Sequence, residues 1–399
     1  MQTTSCLLDF QSIRPRYETS QESILEWIAL AHAKAESFSL KSSWHEEHPA
    51  YLEFYREIKQ RLFQIGLGAN KIQKRGIELP DIFHRLWQTM QIYNLNVSSH
   101  GAGLKERSCF FGKTVDEIFE RFYPLETPLP DHLVHVTCTG YVAPSGAQKI
   151  VSKRSSGAKT YVTHAYHMGC YASIPAIRIA QSSLHPPSSP LDFRADIVHT
   201  ELCSLHMNPQ LHETEQLIVQ SLFGDGFIKY SLLSEDEAKK RGSPYLKILA
   251  LHEEVIPDST DSMSWQCEDW GFKMSIAKEV PVLIARHLPS FLKTLMQKAQ
   301  LDAEKVQANA CFAIHPGGPR IIDQIAKILD LKEQQYKESV QILRDCGNMS
   351  SATLPHVWEK MLNDRSSQSG QLIASLAFGP GLNISGALFE KRGTALPCG

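Results

Sequence analysis

Three short stretches set reactive side chains against glycine or proline. HMGCYASIPAIRIA, His167 to Ala180, holds Cys170 between Gly169 and the start of an apolar helical run. A thiol at a helix N-terminus feels the positive end of the helix dipole, which favours thiolate. Gly169 lets the backbone approach a substrate closely. CFAIHPGGPR, Cys311 to Arg320, delivers His315 from an apolar strand into a rigid turn with two residues free of Cβ. CGNMSSAT, Cys346 to Thr353, puts Asn348 and Ser350 in a small-residue turn ahead of a helix.

Each stretch also has an ordinary structural reading. A free cysteine is among the most buried residue types, buried histidines are usually hydrogen-bonded for packing alone, and an asparagine before a helix is a plain N-cap. Pro175, five residues after Cys170, counts against the helix itself. Taken together, thiol, imidazole and carboxamide suit acyl transfer through a thioester. Papain-like proteolysis uses the same three types, and the separation of 145 residues between Cys170 and His315 falls in its range. The protease motif around the cysteine is absent, however, and Cys170 lies mid-chain rather than near the start.

The elements that must position these groups alternate. Helical periodicity runs from Ser20 to about Gln64 and again over Val115–Leu125, before a β-branched run at His132–Val142. A strand near Ile197 and the helix HETEQLIVQSLFGDG follow, then a boundary between Ser234 and Ser243. LKILALHEEV, VPVLIARHLPSFLKTLMQKAQ, NACFAIHPGG and PRIIDQIAKIL repeat the alternation, and GQLIASLAFGPGLNISGALFEK closes it with strand-like residues. Layered α/β with helices covering sheets is expected, in two halves that are variations on one theme.

Composition agrees with an ordinary globular chain: 399 residues, 42 % hydrophobic, 21 % charged, net charge −2. No global basic field points to nucleic acid, and no apolar run approaches the roughly 18 residues of a membrane span. MQTTSCLLDFQSIRPRYETS lacks a charged leader followed by a long apolar core, so no secretory signal is expected. The nine cysteines are scattered and form neither C-x-x-C nor a zinc-spaced cluster. A reduced, cytoplasmic setting without a metal is the expectation.

The words GC at Gly169-Cys170, LFGDG at Leu222–Gly226, HPGGP at His315–Pro319, GNMSSA at Gly347–Ala352 and FGPGL at Phe378–Leu382 carry a family resemblance. In that order they resemble the type III polyketide synthases, the chalcone-synthase-like branch of the thiolase-fold condensing enzymes. The likeness covers roughly Cys138 to Ile384 and weakens before His100. It implies a thiolase-like five-layer αβαβα fold made of two similar halves. Residues 1–238 would carry the nucleophile, and 239–399 the histidine and asparagine. By the same resemblance Cys170 would carry the starter acyl group, while His315 and Asn348 would promote decarboxylation of a malonyl extender. Both can donate to an enolate oxygen, which an ionised carboxylate cannot. His315 would also hold Cys170 as an exposed thiolate.

Phe223 and Phe272 match the family's gatekeepers, and Met263 falls near a wall position that is glycine in chalcone formers. Ser350 stands beside Asn348, and Cys203 or His206 is placed on the same wall. Of the basic cluster with which plant members hold coenzyme A, Arg61 is kept. The other two positions fall near Gln64 and Ala69, with Lys59, Lys71, Lys74 and Arg75 nearby. The implied donors are therefore acyl-CoA or an acyl carrier protein, with malonyl-CoA as extender and no cofactor. A homodimer is implied as well, and a small pyrone or resorcinol-type product fits a chamber narrowed at Met263. The nearest rival is a ketoacyl-ACP synthase III-like enzyme making one condensation. A rival of another class is an acyl-binding subunit without turnover, which the intact Cys, His and Asn disfavour.

Overall fold

The computed structural model describes residues 4–40, 45–65, 67–184 and 192–393. Its centre is a nine-stranded mixed sheet. Read from one edge, the strands are Cys311–Ile314, Leu372–Gly379, Asn383–Arg392, Tyr245–Val255, Ser5–Ile13, Gly226–Ser234, Ala195–Glu201, His132–Thr137 and Tyr161–Tyr166. The first four come from the second half of the chain and the rest from the first. Ser5–Ile13 pairs with Gly226–Ser234 at seven positions but with Tyr245–Val255 at only two, Cys6 opposite Lys247 and Leu7 opposite Leu246. The sheet is thus two sheets joined by a narrow seam.

Strand alternation then builds the layers. Val134, Ile197 and Leu232 of the first sheet, with Ala313, Ile373 and Phe389 of the second, pack on a shared middle layer. That layer is formed by helices Ser173–Leu184 and Thr353–Asn363, including Ile177 and the fully buried Trp358. Opposite-facing Leu133, Val198 and Phe227 are covered by helices Gln21–Ser39 and Leu104–Phe122. Phe312, Leu376 and Leu388 are covered by helices Val280–Lys298 and Pro319–Ile328. Helix, sheet, helix, sheet, helix is the thiolase-like five-layer order. The 238/239 division falls inside the short helix Glu235–Arg241.

Several local expectations shift. The amphipathic run read from Val115 is the end of a longer helix, Leu104–Phe122, which stops before Pro124 because a residue preceding proline avoids the α region. The strand expected to Val142 ends at Thr137, where the chain turns into the interior. Pro175 is tolerated because the helix begins at Ser173; the first i→i−4 bond, Ala176 N–H to Ala172 O at 2.9 Å, comes after it. GQLIASLAFGPGLNISGALFEK is a hairpin of two strands. The Pro/Ser loop read between Leu184 and Asp192 lies almost wholly outside the described residues, and so does Cys398. No helix among the described residues is long and apolar enough to cross a membrane.

Burial leaves many histidines neutral. It pushes His32, His135, His206 and His315 down to about 3, and His356 to about 4. Between these values and about 6.5 the unfolded chain binds protons that the fold refuses, so stability falls as pH is lowered through that window. Asp225, pushed up to about 7 by burial, works in the opposite direction, as does Glu201. The histidines outnumber them, each contributing about 1.4 kcal/mol per pH unit. Differential scanning calorimetry is therefore expected to show Tm dropping by at least about 5 °C from pH 7 to pH 5. A flat or rising Tm would contradict the neutral histidines.

Candidate active site

Cys170 lies in the turn between strand Tyr161–Tyr166 and helix Ser173–Leu184. Gly169 holds φ 79°, and a Cβ there would come within 2.6 Å of Pro380 Cδ, so only glycine lets the turn sit against the second half. His315 leaves strand Cys311–Ile314 with its N–H donating to Leu376 O at 2.7 Å. Gly317 N–H returns to His315 O at 2.8 Å and closes the turn. Asn348 follows helix Glu333–Cys346 across Gly347, which holds φ 72°.

The backbone of Asn348 is tied to the other half. Its N–H donates to Leu222 O at 3.0 Å, and its carbonyl accepts from Gly224 N–H at 2.9 Å. Its side-chain Oδ1 accepts from Ser350 N–H at 2.9 Å and from Thr353 Oγ1 at 3.2 Å. With the oxygen taken twice, the NH2 is left to face the site. The expectation that Asn348 caps the next helix is therefore modified: it organises the tight turn Ser350–Ala352, and the helix starts at Thr353.

Cys170, His315 and Asn348 line one cavity with Met263, Phe223 and Phe378. Apart from the three polar groups its walls are almost entirely apolar. His315 is 1 % exposed and neither ring nitrogen has a hydrogen-bond partner. Desolvation drives its pKa to about 3, so the ring is neutral. Cys170 is 6 % exposed, and burial pushes its thiol up to about 12, with the Glu201 charge adding to this against hydrogen bonds to Ser350 and Asn348. This corrects the exposed thiolate expected from the sequence. The helix begins three residues later, and desolvation outweighs its dipole.

Ser350, at φ 49°, is a strained non-glycine residue in the centre of the arrangement. Its Oγ lies 2.8 Å from Cys138 Sγ and 3.8 Å from Cys170 Sγ. Beneath it the fully buried Glu201 ends strand Ala195–Glu201 and accepts from Cys138 N–H at 3.0 Å, Thr139 Oγ1 at 2.9 Å and the Ser351 hydroxyl. Burial still raises its pKa.

The remaining sequence candidates separate. Phe223 lines the catalytic cavity and also a second, narrow one, which is lined by Cys203, His206 and Ser350 as well. Phe272 lines neither cavity. It stacks on the His206 ring at 4.5 Å and donates its N–H to His206 Nδ1 at 3.1 Å. Arg61 also lies outside both cavities; its guanidinium donates to His212 O and pairs with Glu57 at 3.7 Å. Sequence reasoning missed Glu201 and the hairpin Met263–Glu268/Gly271–Ile276 that carries Met263, Trp265, Phe272 and Met274; Arg75, named there only as a neighbour of the basic cluster, is buried beside the second cavity. Glu-Asp-Trp-Gly between two alternating runs was the available hairpin signal. Among the described residues no group of metal-ligating side chains is assembled.

Residues 247–391 match the family model of chalcone and stilbene synthases, C-terminal domain. A putative chalcone synthase of Bacillus subtilis is 28 % identical over 277 residues, 69 % of this chain and 73 % of that protein. Probable polyketide synthase 1 of Dictyostelium discoideum is 28 % identical over 262 residues, which span 65 % of this chain but only 8 % of that much longer protein. In three dimensions the chain is similar to the C-terminal type III polyketide synthase domain of Steely1 from Dictyostelium. The TM-score is 0.75 at 23 % identity, covering 97 % of this chain and 99 % of that one.

The neutral, enclosed thiol has a direct consequence. At pH 8 iodoacetamide is expected to modify the exposed Cys109 and Cys267 first. Cys170 should follow roughly 10²-fold more slowly, its small thiolate fraction only partly offset by higher intrinsic nucleophilicity. Peptide mass spectrometry over a time course reads the order. Labelling of Cys170 ahead of the exposed thiols would mean an ionised, open site.

Proposed function

We propose that this chain, which belongs to the type III polyketide synthases, condenses an acyl thioester with a malonyl thioester by decarboxylative Claisen chemistry, iteratively and with cyclisation. Cys170 is the nucleophile, and His315 with Asn348 forms the enolate-stabilising pair. The observation that carries the reading is one cavity holding a thiol, an imidazole with both nitrogens unpaired, and a carboxamide whose oxygen is occupied so that its NH2 is directed at the thiol.

In the first step the Cys170 proton passes to neutral His315 as sulfur bonds to the acyl carbonyl carbon. The bond to the carrier sulfur breaks, and the carrier leaves with that proton. The malonyl thioester then enters. Its carboxylate carbon–carbon bond breaks, CO2 departs, and the electron pair moves onto the thioester oxygen as an enolate. His315 N–H and the Asn348 NH2 hold that oxygen in a dry pocket, where neutral donors are worth most. Apolar walls also disfavour the charged carboxylate relative to CO2. The enolate carbon bonds to the acyl carbonyl on Cys170, the sulfur leaves as thiolate, and a chain two carbons longer remains on the carrier. The negative charge of malonyl thus ends on Cys170, so later acylations start from a thiolate despite its raised pKa.

In this reading Phe223 gates the cavity, Met263 limits its length towards a short pyrone or resorcinol-type product, and Ser350 orients the thiol. Phe272 acts through the His206 stack, and Cys203 faces the chain from the second cavity. Arg61 contributes to the entrance where the acyl-CoA or acyl carrier protein sits. The enzyme works as a cytoplasmic homodimer, with Cys170 supplied by residues 1–238 and His315 and Asn348 by 239–399.

Intact-protein mass spectrometry with hexanoyl-CoA, then malonyl-CoA, tests the assignment. The wild type should acquire an acyl adduct that is discharged as an extended, cyclised product. Cys170→Ala should form no adduct, while His315→Gln and Asn348→Asp should acylate but lose about 10²–10³-fold in malonyl-CoA decarboxylation. Release after a single extension would move the chain to the one-condensation reading. An adduct persisting in Cys170→Ala would remove the nucleophile assignment.

A further inference from the structure

The second cavity has an unexplained feature, the guanidinium of Arg75. This side chain is 1 % exposed and lines the cavity from strand Lys74–Ile77. One nitrogen is spent: Nη1 donates to Gln220 O at 2.9 Å and Phe223 O at 2.6 Å. The opposite edge, Nε and Nη2, has no hydrogen-bond partner. The carboxylate that acts on it electrostatically, Asp225, is committed elsewhere, accepting from Ser204 N–H at 2.8 Å, Glu78 N–H at 2.7 Å and Ser204 Oγ at 2.7 Å. Burial lowers the pKa of Arg75 to about 9, so it stays cationic at neutral pH. A buried cation with two unfilled donors is costly unless something occupies them.

The Nε–Nη2 edge is the fork that matches a carboxylate with two parallel hydrogen bonds. The surroundings fit a chain leading to it, since Ile24, Ile77, Ile82 and Val219 make apolar walls. The cavity also begins where the catalytic one ends. The two share Phe223 and Met274, and Ser350 lines the second cavity while its Oγ lies 3.8 Å from Cys170 Sγ. A chain esterified to Cys170 and directed past Ser350 points towards this space.

We propose that the second cavity receives the far end of an acyl chain terminating in a carboxylate, with Arg75 gripping that carboxylate through Nε and Nη2. The inference rests on the acyl-transfer reading above and narrows its starter to an ω-carboxylated thioester.

The test pairs monocarboxylic and dicarboxylic mono-CoA thioesters of four, six, eight and ten carbons, and reads the rate of Cys170 acylation by intact mass. In the wild type at least one dicarboxylic member should acylate at least about tenfold faster than its uncharged counterpart. Arg75→Lys, which keeps charge but loses the fork, should reduce the ratio, and Arg75→Met should bring it to one or below. Uncharged thioesters faster at every length in the wild type, or a ratio unchanged in Arg75→Met, would overturn the proposal. The wild-type series decides even if a variant fails to fold. If no thioester acylates Cys170, acyl transfer itself has failed, and the cavity is read separately from the melting of wild-type protein with octanoate and with the uncharged octanamide. Stabilisation by octanoate alone supports the carboxylate site; equal or absent stabilisation, as a water-filled fork would give, overturns it.

Discussion

Everything at the site depends on how the two halves are tied at the turns Leu222–Gly226 and Gly347–Thr353. The reciprocal backbone bonds between Asn348 and the Leu222–Gly224 segment fix the carboxamide and the Phe223 gate as one piece. Glu201 fastens the same region from below, holding the Cys138–Thr139 segment and the Ser351 hydroxyl together. A buried carboxylate is expensive unless its oxygens are filled, and here each contact filling them also locates a residue near the thiol. Arg75 braces the arrangement from another side, its Cγ lying 3.0 Å from where a Cβ on Gly347 would stand. The tie orients reactive groups from two halves whose sheets are hydrogen-bonded to each other at only two residue pairs.

The same tie explains why polar groups can be left idle. In most interiors an imidazole with no partner is a defect. At His315 the vacancy is useful, because the group must bond to an oxygen that carries charge only during the reaction. An imidazole already engaged would have to break a bond first, and a protonated one would favour keeping the carboxylate over losing it. Desolvation, which makes both His315 and Cys170 neutral at rest, therefore sets the starting condition of the chemistry.

Much of this was legible in the chain. Cys170, His315 and Asn348 stand out because each occupies a break in periodicity, and such breaks mark the ends of elements, where sites are built. The alternation of strands and helices gave the α/β class, while the five-layer order came from the family resemblance. What could not be read is non-local. Glu201 looks like any charged strand end until its burial is known, and Arg75 looks like one more member of a basic stretch with Lys74. The ionisation of Cys170 was misjudged because sequence shows the helix that follows it but not the apolar walls that desolvate it. Phe272 is placed one residue back from the second cavity, its ring stacked on His206, a packing detail that its motif does not disclose.

The strand order has a bearing on how the molecule comes into being. Asn383–Arg392, the last strand of the described chain, lies between Leu372–Gly379 and Tyr245–Val255, and it alone connects the His315-bearing edge to the rest of the sheet. A ribosome releases Cys170 more than two hundred residues before that strand. The nascent polypeptide thus holds its thiol for more than two hundred residues of synthesis before the strand that joins the imidazole's edge to the sheet has been made. Vectorial synthesis and sheet order together act as a timer that delays reactivity until residues Asn383–Arg392 have emerged.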